Sequence, residues 1–400
     1  MHIDTNSKNC SGCTACEAIC PVKAINMVSD DEGFYIPAVK NDICIDCGAC
    51  VKVCPAKNGI NNKDEISDKE AYAVRWTCAI RDKSASGAFF PAIAKYFIEN
   101  KQGYVCGCIL DEDLIPIHIV SNKWDDVVRM QDSKYVQSNV KECYLEILEL
   151  LKNEKWVLFT GTSCQAAGLL SLIHAKKINR DRLIIVDFFC HGVPSPKIWK
   201  DYLKFYEEEK RKNVVGYRFR SKKYGWGKKA RGSSYLNCIQ YAQKRKVKYD
   251  NYSYAARMWR TIFFSNICIR QYCHTCPYAT VDKPADITMG DFWGIESILK
   301  DFDDGKGCSA VILRTEYAKK VFDELSYLDK REVNVVDVTQ RQKNAFEPSN
   351  SHPLRSEFWN DYNSLSFKQL SKKYFYYSCS TKIKDFIKRI LFVLHLRNIY

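Results

Sequence analysis

Residues 10–21 read CSGCTACEAICP and residues 44–55 read CIDCGACVKVCP. Each run is C-x2-C-x2-C-x3-C-P, a spacing that suits a pair of [4Fe-4S] clusters. Three closely spaced thiolates cap three irons of one cubane. The fourth, set ahead of a turn-forming proline, crosses to the partner cluster. The expected ligand sets are Cys10, Cys13, Cys16 and Cys54 for one cluster and Cys44, Cys47, Cys50 and Cys20 for the other. A disulfide framework and paired zinc sites are the rival readings. Structural zinc usually takes one CxxC from each half, with neither a third cysteine nor a proline.

The chain of 400 residues has room for two or three domains and a sizeable core beyond this module. Its 20 cysteines would suggest a secreted scaffold only in a short chain behind a signal peptide. The first residues, MHIDTNSKNC, are polar and carry no apolar leader. Reduced, metal-binding thiols then fit a cytoplasmic, low-oxygen setting, as in an anaerobe. No run of about eighteen apolar residues occurs, so no spanning helix is expected.

The net charge of +14 is unevenly spread. Lys210–Lys248 holds fourteen Lys or Arg and no Asp or Glu, and Phe367–Tyr400 holds eight basic residues against Asp385. Such a balance suits acidic protein partners, phosphate-bearing cofactors or an anionic membrane surface. No nucleic-acid motif accompanies it, so nucleic acid is not an expected partner.

Beyond a polar, turn-rich stretch at Asn58–Lys69, Glu70–Trp76 alternates as a strand does. Ser84–Asn100 opens on small residues and continues as an apolar helix. Gly103–Leu110 and Ile115–Val120 read as strands, and Lys141–Leu151 as a helix with Tyr144, Leu145, Leu148 and Leu151 in helical rhythm. Trp156–Thr160 and Leu183–Phe189 are short buried strands, with helical Ala166–His174 between them. This alternation predicts a mixed α/β core containing parallel sheet.

The loops after the two buried strands carry the chemistry. Gly161, Thr162, Ser163 and Cys164 lie where a strand meets a helix, where backbone N–H groups can bind an anion. Cys190 and His191 follow the second strand. Both cysteines sit just past carboxyl ends of strands, where α/β sheets place ligands. Cys273-x2-Cys276 is a metal-type pair that needs partners from elsewhere. With Cys164 and Cys190 it makes a third [4Fe-4S] site; zinc in the same quartet, a Cys190–His191 nucleophile pair, and plain buried thiols remain open beside it. Cys268 is a reserve ligand. Cys78, Cys106, Cys108, Cys143, Cys238, Cys308 and Cys379 lack ligand spacing and read as structural thiols.

Seven stretches carry a family resemblance: SASGAFF at Ser84–Phe90, DSKYVQS at Asp132–Ser138, GTSCQAAGL at Gly161–Leu169, DFFCHGVPS at Asp187–Ser195, FRSKKYGW at Phe219–Trp226, CHTCPYA at Cys273–Ala279 and ADITMGDFWGI at Ala285–Ile295. In this order they resemble the β-subunit family of coenzyme F420-reducing hydrogenases and dehydrogenases, with a ferredoxin-type module in front. The resemblance implies a small bacterial-ferredoxin-like module, residues 1–60, fused to a mixed α/β core that binds flavin and a cluster. That core divides into a β-subunit N-terminal-like region, 70–150, and a C-terminal-like region, 151–340. A basic helical tail, 341–400, follows. The family's cysteines fall on Cys164, Cys190, Cys273 and Cys276. The chain departs from the family's SSGG at Ala88 and from its GTPCQ at Ser163.

The resemblance also implies FAD, which leaves no GxGxxG fingerprint here. Ser86, Gly87, Lys134, Tyr135, Gln137, Gly161, Thr162 and Asp291 are the expected flavin contacts, with Lys134 meeting the diphosphate and Trp293 stacking. An ordinary polar strand edge and a buried aromatic anchor are the bland readings of these motifs. Arg218, Arg220, Lys222 and Lys223 are expected to receive an anionic substrate or an acidic ferredoxin, or simply to form a solvated basic face. The implied activity is an iron–sulfur flavoprotein oxidoreductase passing electrons from ferredoxin or another donor protein to a small organic acceptor. A non-catalytic electron-transfer subunit, and an envelope-associated factor in surface polysaccharide formation, are the alternatives. For the last, Ile383, Phe386, Ile387, Ile390, Leu391 and Leu394 form an apolar stripe opposite Lys384, Lys388 and Arg389, suited to peripheral membrane contact or to docking on the protein's own core.

Overall fold

The computed structural model describes residues 3–59, 65–222, 226, 237–244, 246–251, 253–380, 383, 384, 386, 387 and 390. Lys223, Gly225, Lys388, Arg389, Leu391 and Leu394 lie outside the described residues.

The N-terminal module pairs β1 (Ile25–Ser29) with β2 (Tyr35–Val39) as an antiparallel hairpin. Short helices Ala15–Ile19 and Ala49–Lys52 begin between the second and third cysteine of each run. The two runs coil alike: Gly12 and Asp46 hold φ of 71° and 52°, and Thr14 and Gly48 hold 65° and 70°. This repeated left-handed backbone gives the two runs the same local course.

The chain then builds one eight-stranded sheet from β3 (Glu65–Arg75), β4 (Tyr104–Leu110), β5 (Pro116–Ser121), β6 (Val157–Thr160), β7 (Leu183–Phe188), β11 (Ile287–Asp291), β12 (Ser309–Thr315) and β13 (Asp329–Val333). The intervening β8 (Asn213–Arg218), β9 (Cys238–Gln243) and β10 (Lys246–Asp250) form a separate three-stranded antiparallel sheet. The order of the large sheet is β13-β3-β12-β11-β7-β6-β4-β5. β4, β6, β7 and β11 run parallel, and the strands outside them are antiparallel. The apolar runs VLFT and SAVILRT are buried along their whole length, as strands covered on both faces must be. Alternate residues serve opposite faces. Leu158 and Ile184 join Phe89, Ile93 and Phe97, while Val157, Phe159, Leu183 and Ile185 pack on Leu169, Leu170 and Ile173.

The expected α/β core is present, with three differences in extent. β3 starts at Glu65, inside the stretch read as a turn-rich connector. The boundary expected at 150/151 runs through a single sheet, because β3, β4 and β5 lie on both flanks of strands from the second region. Residues 341–400 are not one tail: helices Arg355–Tyr362 and Phe367–Tyr374 bury Phe358, Leu370 and Phe375 in an aromatic core with Trp199 and Trp259. Further on, Ile383, Phe386, Ile387 and Ile390 are exposed rather than docked on that core.

Candidate redox centre

Parallel pairing of β6 with β7 sets their carboxyl-end loops side by side. The first loop enters helix Ser163–Lys176 through a capping box, in which Thr162 accepts from the Gln165 amide and Gln165 answers to the Thr162 amide. That box fixes Cys164 in the first turn, with Thr162 Oγ1 3.1 Å from its sulfur. Cys190 follows β7. Gly192 (φ 126°) then turns the chain so closely past Cys273 that a Cβ there would stand 3.3 Å from the Cys273 Cβ. Cys273 lies in the 3-10 turn Gln271–Thr275, and Cys276 closes that turn.

Four thiols thereby converge. Cys190 feels the charge of Cys164 and Cys276, and Cys273 that of Cys190, Cys276 and Cys164. Burial pushes Cys164 up to about 11 and Cys190 up to about 12, and raises Cys273 and Cys276 as well. Thiols held this way stay protonated until a cation replaces the proton. Cys268 is not among them: it is buried in the aromatic core, and its carbonyl accepts from the Ser195 amide.

The N-terminal cysteines group in the crossed pattern. Cys16 feels Cys13, Cys10 and Cys54, whereas Cys20, Cys44, Cys47 and Cys50 line a small cavity of their own. Backbone amides of Gly12 and Ala24 donate to the Cys10 and Cys20 sulfurs at 3.3 and 3.2 Å. Cys13 also feels Cys164, so the first quartet adjoins the β6 loop. Contact there is close: a Cβ on Gly168 would lie 3.3 Å from the Cys13 sulfur. Among the described residues no three His, Cys, Asp or Glu side chains stand close enough to hold a single metal ion. A single zinc, with its thiolates at about 2.3 Å, draws them closer together than a cubane with four irons between them.

Beside Cys164 and Cys190 opens a cavity of about 320 Å³. Ser86, Lys134, Tyr135, Gln137, Gly161, Thr162, Asp291 and Trp293 line it, and Gly87 does not. Gly87 is a packing residue, since a Cβ there would meet the Val74 carbonyl at 2.2 Å and the Ser309 amide at 2.5 Å. Lys134 reaches the wall, but its ammonium donates to the carbonyls of Arg129, Met130, Gln131 and Asp132 at 2.7–3.2 Å. It closes the end of helix Trp124–Met130 and is not turned toward a diphosphate. Arg220 pairs with Asp291, and Arg218 with Asp132 at 2.7 Å. Lys222 donates to the carbonyls of Arg81 and Ser86, and burial pushes it down to about 7. These three cations brace the cavity rather than forming a solvated face. Trp293 stacks on Trp226 at 4.9 Å, and Tyr135 on Phe263 at 4.5 Å.

Two cavity residues carry no motif signal, His118 and Gln131. His118 Nε2 lies 3.1 Å from the Thr160 carbonyl, so it is the protonated nitrogen, and burial holds the ring neutral by pushing it down to about 4. Gln131 accepts from the Ser84 hydroxyl at 2.7 Å. His118 Nδ1, Gln131 Nε2 and Asp291 Oδ1 are all buried without a hydrogen-bond partner. The wall thus presents two acceptors and one donor. His191 lies against Phe263 and contacts Asn266 at 2.7 Å, so it is not paired with Cys190 as a base.

Thiol quartets beside a polar-edged cavity define an iron–sulfur electron-transfer protein of the oxidoreductase type. Residues 9–58 match the 4Fe-4S dicluster domain, and residues 154–340 match the C terminus of the coenzyme F420 hydrogenase/dehydrogenase beta subunit. A dicluster domain thus stands ahead of a region similar to the C terminus of that β-subunit. Among solved structures it is similar to a chain of the F420-reducing [NiFe] hydrogenase complex from Methanosarcina barkeri, at 17% identity and a TM-score of 0.45, over 72% of this chain and 90% of that one. No curated protein matches the chain. Among the described residues no helix is long and apolar enough to cross a membrane.

Proposed function

We propose that this chain is a flavin-containing oxidoreductase. A protein donor, reduced ferredoxin or a partner subunit, delivers electrons to the N-terminal module, and a small organic acceptor takes them at the cavity. The observation that carries this reading is the convergence of Cys164, Cys190, Cys273 and Cys276, with two of these thiols on the cavity wall and Cys13 close to Cys164.

In this reading Cys10, Cys13, Cys16 and Cys54 hold one [4Fe-4S] cluster, Cys20, Cys44, Cys47 and Cys50 a second, and Cys164, Cys190, Cys273 and Cys276 a third. The chemistry such groups supply is one-electron transfer at the clusters and exchange between one- and two-electron carriers at FAD. The chain's own residues do the rest. Gly12 and Ala24 amides and the Thr162 hydroxyl donate to cysteine sulfurs, which stabilises thiolate charge. Gln131 Nε2 donates to, and His118 Nδ1 and Asp291 Oδ1 accept from, a heterocycle of mixed donor and acceptor edge. A flavin's pyrimidine ring, an N–H between two carbonyls, would match part of this wall, with one carbonyl on Gln131 Nε2 and the N–H on one of the two acceptors. Ser86, Tyr135, Gln137, Gly161 and Thr162 complete the wall.

Anaerobic purification with iron, acid-labile sulfide and flavin measured together tests this. About twelve irons, four for each of three clusters, with one flavin is the expected result. About eight irons and no flavin overturns it. Turnover with a dye donor and candidate acceptors separates an enzyme from a subunit that only carries electrons.

The exposed Ile383, Phe386, Ile387 and Ile390 favour a second role for the C-terminal residues, peripheral contact with an anionic membrane. Liposome co-sedimentation with and without residues 381–400 tests it. Equal sedimentation removes it.

A further inference from the structure

Arg270 is 1% exposed, and the partners of its guanidinium come from three separate pieces of the molecule. Nε donates to the Cys10 carbonyl at 2.6 Å, Nη2 to the Tyr35 carbonyl at 3.0 Å, and Nη1 to Gln137 Oε1 at 3.2 Å. These belong to the first cysteine run, to β2 of the hairpin and to the cavity wall. Gln137 also takes the Tyr35 amide on the same oxygen, at 3.4 Å. Arg270's own backbone is fixed by the Val193 carbonyl at 3.0 Å, in the loop that carries Cys190, and by the Cys273 amide at 2.9 Å.

Every one of these side-chain partners is neutral. Other buried guanidinium groups have carboxylates, Arg81 on Asp304 and Arg355 on Glu32. Among the described residues Arg270 has none. It lies over the Phe34 ring instead, 5.3 Å from its centre. A buried cation without an opposing charge is strongly unfavourable. The Cys10 carbonyl ties it to the first cysteine run, and its field also reaches the third quartet, where it lowers the Cys164 thiol against the effect of burial.

We infer that Arg270 is a positioning residue whose buried charge answers the net anion of the cluster carried by Cys10, Cys13, Cys16 and Cys54. It locks that cluster to the cavity wall and makes it easier to reduce. This rests on the cluster assignments above. A cubane on four thiolates is a net anion, and each added electron makes it more so. A fixed cation in low dielectric therefore stabilises the reduced form and raises the potential.

The test uses the anaerobically purified full chain, with potentiometric titration followed by electron paramagnetic resonance and iron counted in each preparation. Arg270→Gln removes the charge. Gln137→Glu keeps the guanidinium and its bonds but sets a carboxylate against it. Arg270→Lys keeps charge and loses the fork. The first two are expected to lower one cluster's midpoint by about tenfold in the reduced-to-oxidised ratio, ~59 mV for one electron, and the lysine variant to leave it near wild type. If Arg270→Gln fails to load iron, Gln137→Glu decides the matter. Unchanged midpoints with full iron, or the same shift in the lysine variant, overturn the inference. Wild-type protein lacking the N-terminal clusters overturns the cluster reading itself.

Discussion

Thr14 and Gly48 occupy the same place in the two cysteine runs and hold the same left-handed backbone, φ 65° and 70°. Glycine adopts that conformation freely and a β-branched residue does not. Thr14 is also buried, with its hydroxyl unpartnered. Thr14→Gly should therefore leave the fold intact and raise stability by about 1 kcal/mol, while Gly48→Val should lower it by about the same or more. Thermal unfolding of the iron-loaded protein reads both, and a destabilised Thr14→Gly would show that the methyl's packing outweighs the strain.

Cys273→Ser should reduce iron from about twelve to about eight per chain while leaving the N-terminal clusters' spectrum unchanged. Flavin reduction through the protein donor should then be lost. Persistence of that reduction would remove Cys273 from the path.

Gly168 is the point where helix Ser163–Lys176 meets the first cysteine run, with room for no side chain beside Cys13 and the Tyr144 hydroxyl, 3.0 Å from a built Cβ. Gly168→Val should push Cys13 away and weaken the cluster it holds, seen as loss of about four irons. A fully loaded Gly168→Val protein would mean that the two elements separate without harm.

His118 gives a pH signature. Its folded value of about 4 lies below the free 6.5, so between these limits the unfolded chain binds the extra proton. Stability should be complete above pH 6.5 and fall by about 3 kcal/mol as pH drops through that window to 4. Denaturant melts of flavin-free protein across pH 4–7 should show this slope, and His118→Phe should flatten it.

Chemistry that depends on local spacing was readable from the chain. Both cysteine runs and the Cys273–Cys276 pair announce themselves within a few residues, and continuous apolar runs mark β6 and β7. The β8–β10 sheet went unread, because its strands are short and the one clear alternation, KVKYD in β10, is exposed on both faces and sits in a basic stretch. Lys134 shows a different limit: a lysine beside small residues looks like a phosphate ligand until the helix end it closes is seen. Gly87 is similar, a glycine that clears the way for β3 and β12 rather than for a cofactor. His118 left one faint trace. In PIHIVS it takes the inward parity of β5, where a strand normally carries an apolar residue.

β3 follows the ferredoxin-like module in the chain yet lies between β12 and β13, which come more than two hundred residues later. During synthesis the eight cysteines of the two runs precede β3, which then waits unpaired until residues 309–333 have been made. An unpaired strand edge beside open thiols is a vulnerable intermediate. The later strands β12 and β13 thus close the sheet around the much earlier β3, so this flank of the sheet is completed only when residues 309–333 have been made.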